Sequence, residues 1–285
     1  MKVYSSKQAS KHFVALTAMV AILSLSISFI VAPSVDAAGT TITYHADGTT
    51  NDVSGTHNGT WFGPAVYLAG YTGASADQAF GAGPIPGYIE TDTAVGTFGT
   101  DSATIDFWFK SGFASNGQLW SVMSARSGCN NPSDGWFDIR VGRPTPNDPL
   151  GRILVEFGDG PNYVNVVGQT DVMDNQWHHI VVNRSSTGVS INVDGSPDGS
   201  GASAAANVNP TAPFTIGHSP CTNLDGTQGL GVFMSIDEIN ITRMPVGIGP
   251  PTNKDQCKNG GWATFTIPRK FKNQGDCIQY VNTGK

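Results

Sequence analysis

The amino-acid sequence predicts an all-β fold in which two antiparallel sheets are stacked as a sandwich. Glycine accounts for 35 of the 285 residues, and polar turn clusters recur at short intervals between runs rich in Val, Ile, Phe and Thr, which is typical of sandwiches and barrels. No segment after residue 37 has an apolar period of 3.6 residues long enough to predict a helix. Twelve short strands suit two stacked sheets better than one small closed barrel.

The strand predictions rest on these apolar runs and on the turns between them. Asp194-Gly195 closes an alternating run, as expected of a hairpin turn. Alternation also sends His178 and His179 to opposite faces, so the two imidazoles cannot chelate one ion. Trp108 and Trp177 lie inside strongly patterned runs and are expected in the core. The predicted strands are 41–45, 65–68, 88–91, 102–110, 118–125, 135–141, 152–158, 164–168, 177–184, 188–193, 214–217 and 231–243.

The N-terminal segment, residues 1–37, is predicted to be a secretory signal peptide. Three lysines precede a stretch without charges from Phe13 to Val35, and small residues then lead to a cleavage site after Ala37. The apolar stretch is also just long enough to span a bilayer, so an uncleaved anchor remains an alternative. No later segment is predicted to cross a membrane.

Charge excludes one class of partner. Removing residues 1–37 takes away three Lys and one Asp, which leaves 13 basic and 21 acidic residues and a formal charge of −8. A chain this acidic lacks the basic patch that holds phosphates, so nucleic acid is not expected as a partner.

A small C-terminal part is predicted to follow the main domain, residues 38–244. Residues 245–252 are rich in Pro and Gly and read as a linker, and residues 253–285 form a short tail. In an exported chain four cysteines indicate two disulfides. We expect one pair to close the tail and the other to join two loops of the main domain, although cross-pairing between domain and tail stays open. The pairs are Cys257 with Cys277 and Cys129 with Cys221.

Seven short motifs follow one another along the main domain. They are NDVSGTHNGT at 51–60, GYIET at 87–91, ATIDFWFK at 103–110, QWHHI at 176–180, INVDG at 191–195, FTIG at 214–217 and SIDEINI at 235–241. Their order resembles the LamG-like jelly-roll family, which belongs to the concanavalin A-like lectin/glucanase sandwiches, and the resemblance extends over about residues 42–243. The tail resembles a short segment that ends many bacterial secreted proteins, which points to a bacterial source.

This resemblance implies a jelly-roll sandwich with one concave face. Members of the family are mostly non-catalytic modules of secreted and surface proteins that bind glycans or other proteins, and many hold a structural calcium ion. Because the first and last strands lie side by side in the family, Asp47 and Asp237 are candidate calcium ligands. The alternative for Asp237 is a buried carboxylate that accepts hydrogen bonds from turn amides.

Relatives on this fold include glycoside hydrolases and lyases, but the carboxylates do not favour an enzyme. Hydrolysis needs two carboxylates across the scissile bond. After Glu90, the positions where the hydrolase pattern requires a second glutamate hold Ala94 and Val95. Asp237 and Glu238 leave a strand by opposite faces. A glycan-cleaving enzyme is therefore only a remote alternative.

Aromatic side chains next to polar turns are the candidates for ligand binding. Sugar rings stack on exposed aromatic rings, while Asp and Asn fix their hydroxyls. Trp136 and Tyr163 each adjoin such a turn, with Asp134 and Asp159 close in sequence. The sequence thus predicts a secreted, non-catalytic binding module whose ligand is a carbohydrate or glycoconjugate. A module that binds an extracellular or cell-surface protein, or that serves as a structural part of the cell envelope, is the alternative.

Overall fold

Two antiparallel β-sheets make up the main part of the protein. The computed structural model describes residues 40–82, 87–112, 119–129, 134–142, 150–202, 206–221, 234–244, 251, 253–258, 260–265 and 269–285, which fall in one unit, Asp36–Lys285. The predicted signal segment lies outside the described residues, as does the predicted linker except for Pro251. The strands are β1 (Thr40–Tyr44), β2 (Thr60–Phe62), β3 (Tyr67–Ala69), β4 (Gln78–Ala82), β5 (Tyr88–Glu90), β6 (Ser102–Ser111), β7 (Leu119–Ala125), β8 (Trp136–Gly142), β9 (Arg152–Gly158), β10 (Tyr163–Val167), β11 (His178–Ser185), β12 (Gly188–Val193), β13 (Ser196–Ala202), β14 (Thr215–Ile216) and β15 (Met234–Met244).

The strand order confirms the predicted two-sheet sandwich. One sheet has eight strands in the order β13-β12-β11-β6-β15-β4-β3, with β1 also paired to β15. The other has seven strands in the order β10-β9-β8-β7-β14-β5-β2. Hence β15, near the end of the main domain, lies directly beside β1 at its beginning.

The hydrophobic core lies between the sheets and follows from strand alternation. In β6 buried and half-buried residues alternate along the whole strand, and β12 shows the same period. The apolar residues of each strand therefore meet those of the facing sheet. The largest fully buried aromatic side chains of this core are Tyr44, Phe98, Phe107, Phe109, Phe137, Phe157 and Phe214.

Each of the twelve predicted strands overlaps an observed strand, and two of them, Arg152–Gly158 and Gly188–Val193, agree at both ends. The prediction missed β2, β4 and β13. The first is only three residues long, and β13 contains a proline and two glycines, which are depleted in strands. It forms a strand because the hairpin at Asp194 and Gly195, both at positive φ, brings it beside β12.

The prediction also missed a helix in the C-terminal tail, α1 (Gln274–Thr283). The side chain of Asn273 caps it by accepting the N–H of Asp276 at 3.0 Å, and Gly284 ends it in the left-handed region at φ +69°. Short 3-10 turns, Lys254–Cys257 and Gly261–Thr264, precede it. Within the described residues, no helix is long and apolar enough to cross a membrane. The tail has a core of its own, made by Cys257, Phe265, Phe271 and Cys277.

Both disulfides have the predicted pairing. Cys129 is bonded to Cys221 across 92 residues, and Cys257 is bonded to Cys277 across 20. Cross-pairing between the main domain and the tail is therefore excluded. The first disulfide joins the loop after β7 to the loop after β14, two strands that are neighbours in the seven-stranded sheet.

Two tryptophans that were expected in the core lie elsewhere. Trp108 has the opposite parity to the buried Phe107 and Phe109, so it lies half-buried on the outer face of the eight-stranded sheet. There it stacks on Tyr71 at 4.5 Å and on His179 at 5.1 Å between ring centroids. Trp177 is also half-buried. The expectation was wrong because it followed residue type and ignored strand parity.

The two neighbouring histidines diverge as predicted. His178 is buried, whereas His179 lies on the outer face. The His178 ring is 2.8 Å from Asp194 Oδ2 through Nδ1 and 3.1 Å from Asp174 Oδ1 through Nε2. Burial acts to lower the pKa of His178, but the hydrogen bonds to the two carboxylates outweigh it and raise the pKa above the ordinary value of 6.5.

We therefore expect His178 to stabilise the fold under mildly acidic conditions. Because its pKa is higher in the folded than in the unfolded chain, its stabilising contribution is complete below pH 6.5 and is lost as the pH rises through the folded pKa. Thermal melts between about pH 5.5 and 8.5 should show that a His178→Gln variant loses more melting temperature at the acidic end. A difference that does not change with pH would contradict this expectation.

Candidate ligand-binding groove

The outer face of the seven-stranded sheet carries charged side chains, although much of this face is buried. In β8 Phe137, Ile139 and Val141 point into the core, so the alternate residues point to the opposite face. In β9 the corresponding inward residues are Ile153, Val155 and Phe157. The outer face therefore carries charged and aromatic side chains, namely Trp136, Asp138 and Arg140 from β8, Glu156 from β9, Tyr163 from β10, and Tyr88 and Glu90 from β5.

Two adjoining cavities lie on this face, and together we call them the groove. The first has a volume of about 450 Å³ and is lined by Arg126, Trp136, Arg140, Glu156, Tyr163 and the Cys129–Cys221 disulfide. The second, about 200 Å³, is lined mainly by Tyr88, Glu90, Arg126, Ser127, Thr215, His218 and Pro220. Arg126 lines both cavities. The groove thus extends from β10 to β5 across the sheet.

A cluster of four charged side chains forms the floor of the groove. Asp138 and Glu156 are cross-strand neighbours in β8 and β9. Arg126 Nη1 lies 3.6 Å from Asp138 Oδ2 and 3.7 Å from Glu156 Oε2. Arg140 Nη2 pairs with Glu156 Oε2, and Arg140 Nε lies 3.7 Å from Asp138 Oδ2. Two cations therefore alternate with two anions, and the cluster is formally neutral.

Burial controls the ionisation of this cluster. Asp138 is wholly buried, and desolvation raises its pKa although Arg140, Ser219 and Arg126 act to lower it. Ser219 donates its hydroxyl to Asp138 Oδ2 at 2.8 Å. Desolvation also lowers the pKa of Arg126 and of Arg140, and Asp138 partly offsets both shifts.

Trp136 lines the groove but is not the exposed ring that the sequence predicted. Its exposure is only 1%, because the guanidinium of Arg126 lies 3.5 Å above its ring and the Tyr163 ring lies 5.9 Å away. This part of the prediction is wrong because Trp136 begins a strand with its ring on the covered sheet face. Tyr163, by contrast, is 48% exposed and donates its hydroxyl to Glu156 Oε1 at 2.5 Å.

The two predicted aspartates hold loops together and are not among the groove residues. Asp134 accepts the backbone N–H of Thr211 at 2.9 Å, and Asp159 accepts that of Asn207 at 2.7 Å. Burial opposes ionisation of both, but the hydrogen bonds outweigh it and lower the pKa of each carboxyl. Both aspartates thus fasten segment 206–211 to neighbouring loops. A role for them in ligand binding stays a prediction.

The candidate calcium ligands already accept backbone hydrogen bonds. Asp237 is fully buried and accepts the N–H of Tyr71 at 3.0 Å and of Glu238 at 2.8 Å. Burial raises the pKa of Asp237 to about 6. Asp47 accepts the N–H of Gln78 at 2.9 Å. In the described part of the chain, no group of three or more His, Cys, Asp or Glu side chains is placed to hold a metal. A calcium ion takes six to eight oxygens, and backbone carbonyls can be among them.

The calcium expectation therefore stays a prediction, and a chelator tests it directly. A bound ion that holds β1 to β15 would stabilise the folded state by mass action. Removing it with EDTA should then lower the melting temperature, and adding calcium should restore it. An unchanged melting temperature would show that Asp237 acts only as an acceptor of backbone amides.

The sequence prediction missed the charged floor of the groove. Alternation in β8 already places Asp138 and Arg140 on the face opposite the core, and that signal was available. The residues that pair with them are Arg126, which follows β7, and Glu156 in β9. These ion pairs therefore depend on which strands are neighbours. Tyr88 and His218, whose rings stack at 4.5 Å between centroids, were missed for the same reason.

Comparison with known proteins agrees with this architecture. The family model described as the concanavalin A-like lectin/glucanases superfamily matches residues 84–243, more than half of the chain. No curated protein matches the chain significantly in sequence.

The solved structures that are similar to this chain share little sequence with it. Domain 4 of AbnA, a GH43 extracellular arabinanase from Geobacillus stearothermophilus solved with arabinotriose, is 16% identical, with 71% of this chain and 91% of that chain covered and a TM-score of 0.49. Botulinum neurotoxin type C is 13% identical, with 71% and 47% covered and a TM-score of 0.50. The binding domain of botulinum neurotoxin serotype D/C is 14% identical, with 70% and 47% covered and a TM-score of 0.50.

The matches to the two neurotoxins span about half of those chains. At such low identities structural similarity concerns the fold alone. The family match, by contrast, covers most of the sandwich, and the two sheets have the architecture that the family requires. This chain belongs to the concanavalin A-like lectin/glucanases superfamily.

Proposed function

We propose that the protein is a secreted, non-catalytic module that binds a carbohydrate in the groove. The observation that carries this proposal is Tyr163, a half-exposed aromatic ring at the side of a cavity of about 450 Å³ with a polar floor. Sugar binding needs a ring to stack on and polar groups to fix the hydroxyls. Secretion is supported by the two disulfides, which persist in oxidising compartments.

Fold neighbours are consistent with a glycan ligand. Botulinum neurotoxin type C depends on interaction with two ganglioside molecules to enter cells. The binding domain of the D/C serotype, to which the chain is also similar, has been solved in complex with SialylT. These ligands belong to those proteins, and they support the proposal only in showing what this fold can accommodate.

The carboxylates of the groove support a non-catalytic role. Asp138 belongs to the floor cluster, but it is wholly buried and lines neither cavity. Glu156 lines the first cavity, but Arg140 and Tyr163 hold its oxygens. Glu90 lines only the second cavity. Glycoside hydrolysis needs an acid and a second carboxylate at the same bond, and this arrangement does not offer such a pair to a ligand.

A glycan array with residues 38–285 tests the proposal. Saturable binding to one class of glycan is expected, and it should be compared with and without calcium. A blank array would overturn the proposal and favour a protein partner of the cell surface.

The Tyr163→Ala variant should lower glycan affinity roughly tenfold, because it removes the stacking ring. Tyr163→Phe is the matched control, since it keeps the ring and loses only the hydroxyl, which donates to Glu156 and accepts from Asn165. Isothermal titration should therefore give an affinity for the Phe variant close to that of the parent. Equal losses in the two variants would show that the hydroxyl, and not the ring, is what matters.

A further inference from the structure

We propose that the groove selects uncharged saccharides and rejects those that carry carboxylate or sulfate groups. This inference rests on the proposed function of the groove as a glycan site, and it adds the chemical class of the glycan. It follows from how the two groove arginines are bonded.

The donors of Arg126 are directed into the protein. Its Nε donates to the carbonyl of Gly128 at 2.7 Å, and its Nη2 donates to the carbonyl of Cys129 at 2.9 Å. Its Nη1 faces Asp138 and Glu156, and the face of the guanidinium lies on Trp136. The side chain is only 6% exposed. Two of the three nitrogens of this guanidinium therefore donate to backbone carbonyls, and the third faces protein carboxylates.

Arg140 is held by the same two carboxylates. Its Nη2 pairs with Glu156, and its Nε lies 3.7 Å from Asp138 Oδ2, which is an ion-pair contact and not a hydrogen bond. An acidic sugar is best recognised by a guanidinium that offers two parallel N–H donors. To obtain them here, the ligand would have to displace a protein carboxylate and leave it buried without a partner, which is strongly unfavourable.

The remaining charge of the groove is negative. The formal charges of the four floor residues cancel, and Glu90 in the second cavity adds one negative charge. Burial lowers the pKa of His218, so this imidazole stays neutral at pH 7 and supplies no cation. The whole chain has a formal charge of −6. An anionic glycan would therefore be repelled, whereas the hydroxyls of a neutral sugar can donate to Glu90.

The experiment compares one oligogalacturonide series in two forms, the free acids and their methyl esters, so that only the charge changes. Neutral oligosaccharides that bind on the array are included. Affinities by isothermal titration at low salt should be at least about tenfold higher for the esters or for the neutral glycans than for the free acids. Free acids that bind equally well or better overturn the selectivity while the glycan function stands. If neither class binds, the glycan function fails, and this inference fails with it.

A variant sharpens the test without disturbing the buried cluster. Glu90→Gln removes one groove charge and should raise the affinity for acidic glycans roughly threefold, with less effect at high salt. Asp255→Asn is the matched control, because it makes the same charge change at an exposed residue outside the groove. An equal gain in the two variants would mean that only the total charge of the chain matters, which overturns the role assigned to the groove.

Discussion

Replacing Cys129 and Cys221 together by serine is expected to lower the free energy of unfolding by about 4 to 5 kcal/mol. The disulfide closes a loop of 92 residues, and the entropy that a crosslink removes from the unfolded chain grows with the logarithm of loop length. The loop contains β8 to β14, seven of the fifteen described strands, so its release frees nearly half of the sandwich strands in the unfolded state. Urea denaturation, with the free energy extrapolated to zero urea, measures the change.

The second disulfide provides the comparison. It closes only 20 residues, so the serine variant of Cys257 and Cys277 should lose about 3 kcal/mol by the same model. The serine variant of Cys129 and Cys221 should also lose glycan affinity, because the carbonyl of Cys129 accepts a hydrogen bond from Arg126 and holds it in place. A loss below about 1 kcal/mol in the double variant of Cys129 and Cys221 would contradict the expectation.

Arg140→Ala is expected to destabilise the fold by about 3 to 5 kcal/mol, because breaking a buried ion pair leaves its partners charged and buried. Asp138 and Glu156 would both lose a counter-ion in a site where Arg140 itself is only 11% exposed. Equilibrium denaturation at pH 7 measures this loss. The loss should shrink at acidic pH, since protonation of the carboxyls then removes the uncompensated charge.

A double-mutant cycle separates the pair from simple truncation. Arg140→Leu with Glu156→Leu replaces both charges by apolar side chains and should cost much less than either single variant. Lys258→Ala is the control for an exposed pair, because Lys258 and Asp255 lie on the surface, where ion pairs contribute at most about 1 kcal/mol. Additive losses at Arg140 and Glu156 would show that the two residues do not stabilise each other.

Much of the fold could be read from alternation and turns. Two apolar strands, β9 and β12, were predicted to the residue, and β12 also has a clear period of two. Strand β13 was missed because its composition disfavours a strand. It forms a strand only because the hairpin before it brings it beside the edge of β12. The helix α1 was missed because ten residues give little periodicity, although Asn273 and Gly284 marked its two ends.

The groove was predicted less well because it depends on contacts between different strands. Tyr163 was identified because an aromatic residue beside a polar turn is a local signal. Whether the Trp136 ring is exposed depends instead on Arg126, which directly follows β7 and covers that ring. A sequence records which residues share a face of their own strand, but it does not record which strands are neighbours.

Local patterns in the chain were therefore enough for the all-β class, the two sheets, the presence of two disulfides and the divergence of His178 and His179. Each of these depends on spacing along the chain or on the count of cysteines, whereas the pairing of the cysteines was settled only by the structure. Assembly of the sheets was needed to place Arg126, Asp138, Arg140 and Glu156 together, to cover Trp136 and to leave Tyr163 exposed. Buried charges are tolerated only where partners from other strands compensate the loss of water, and such partners become visible only once β7, β8 and β9 lie side by side.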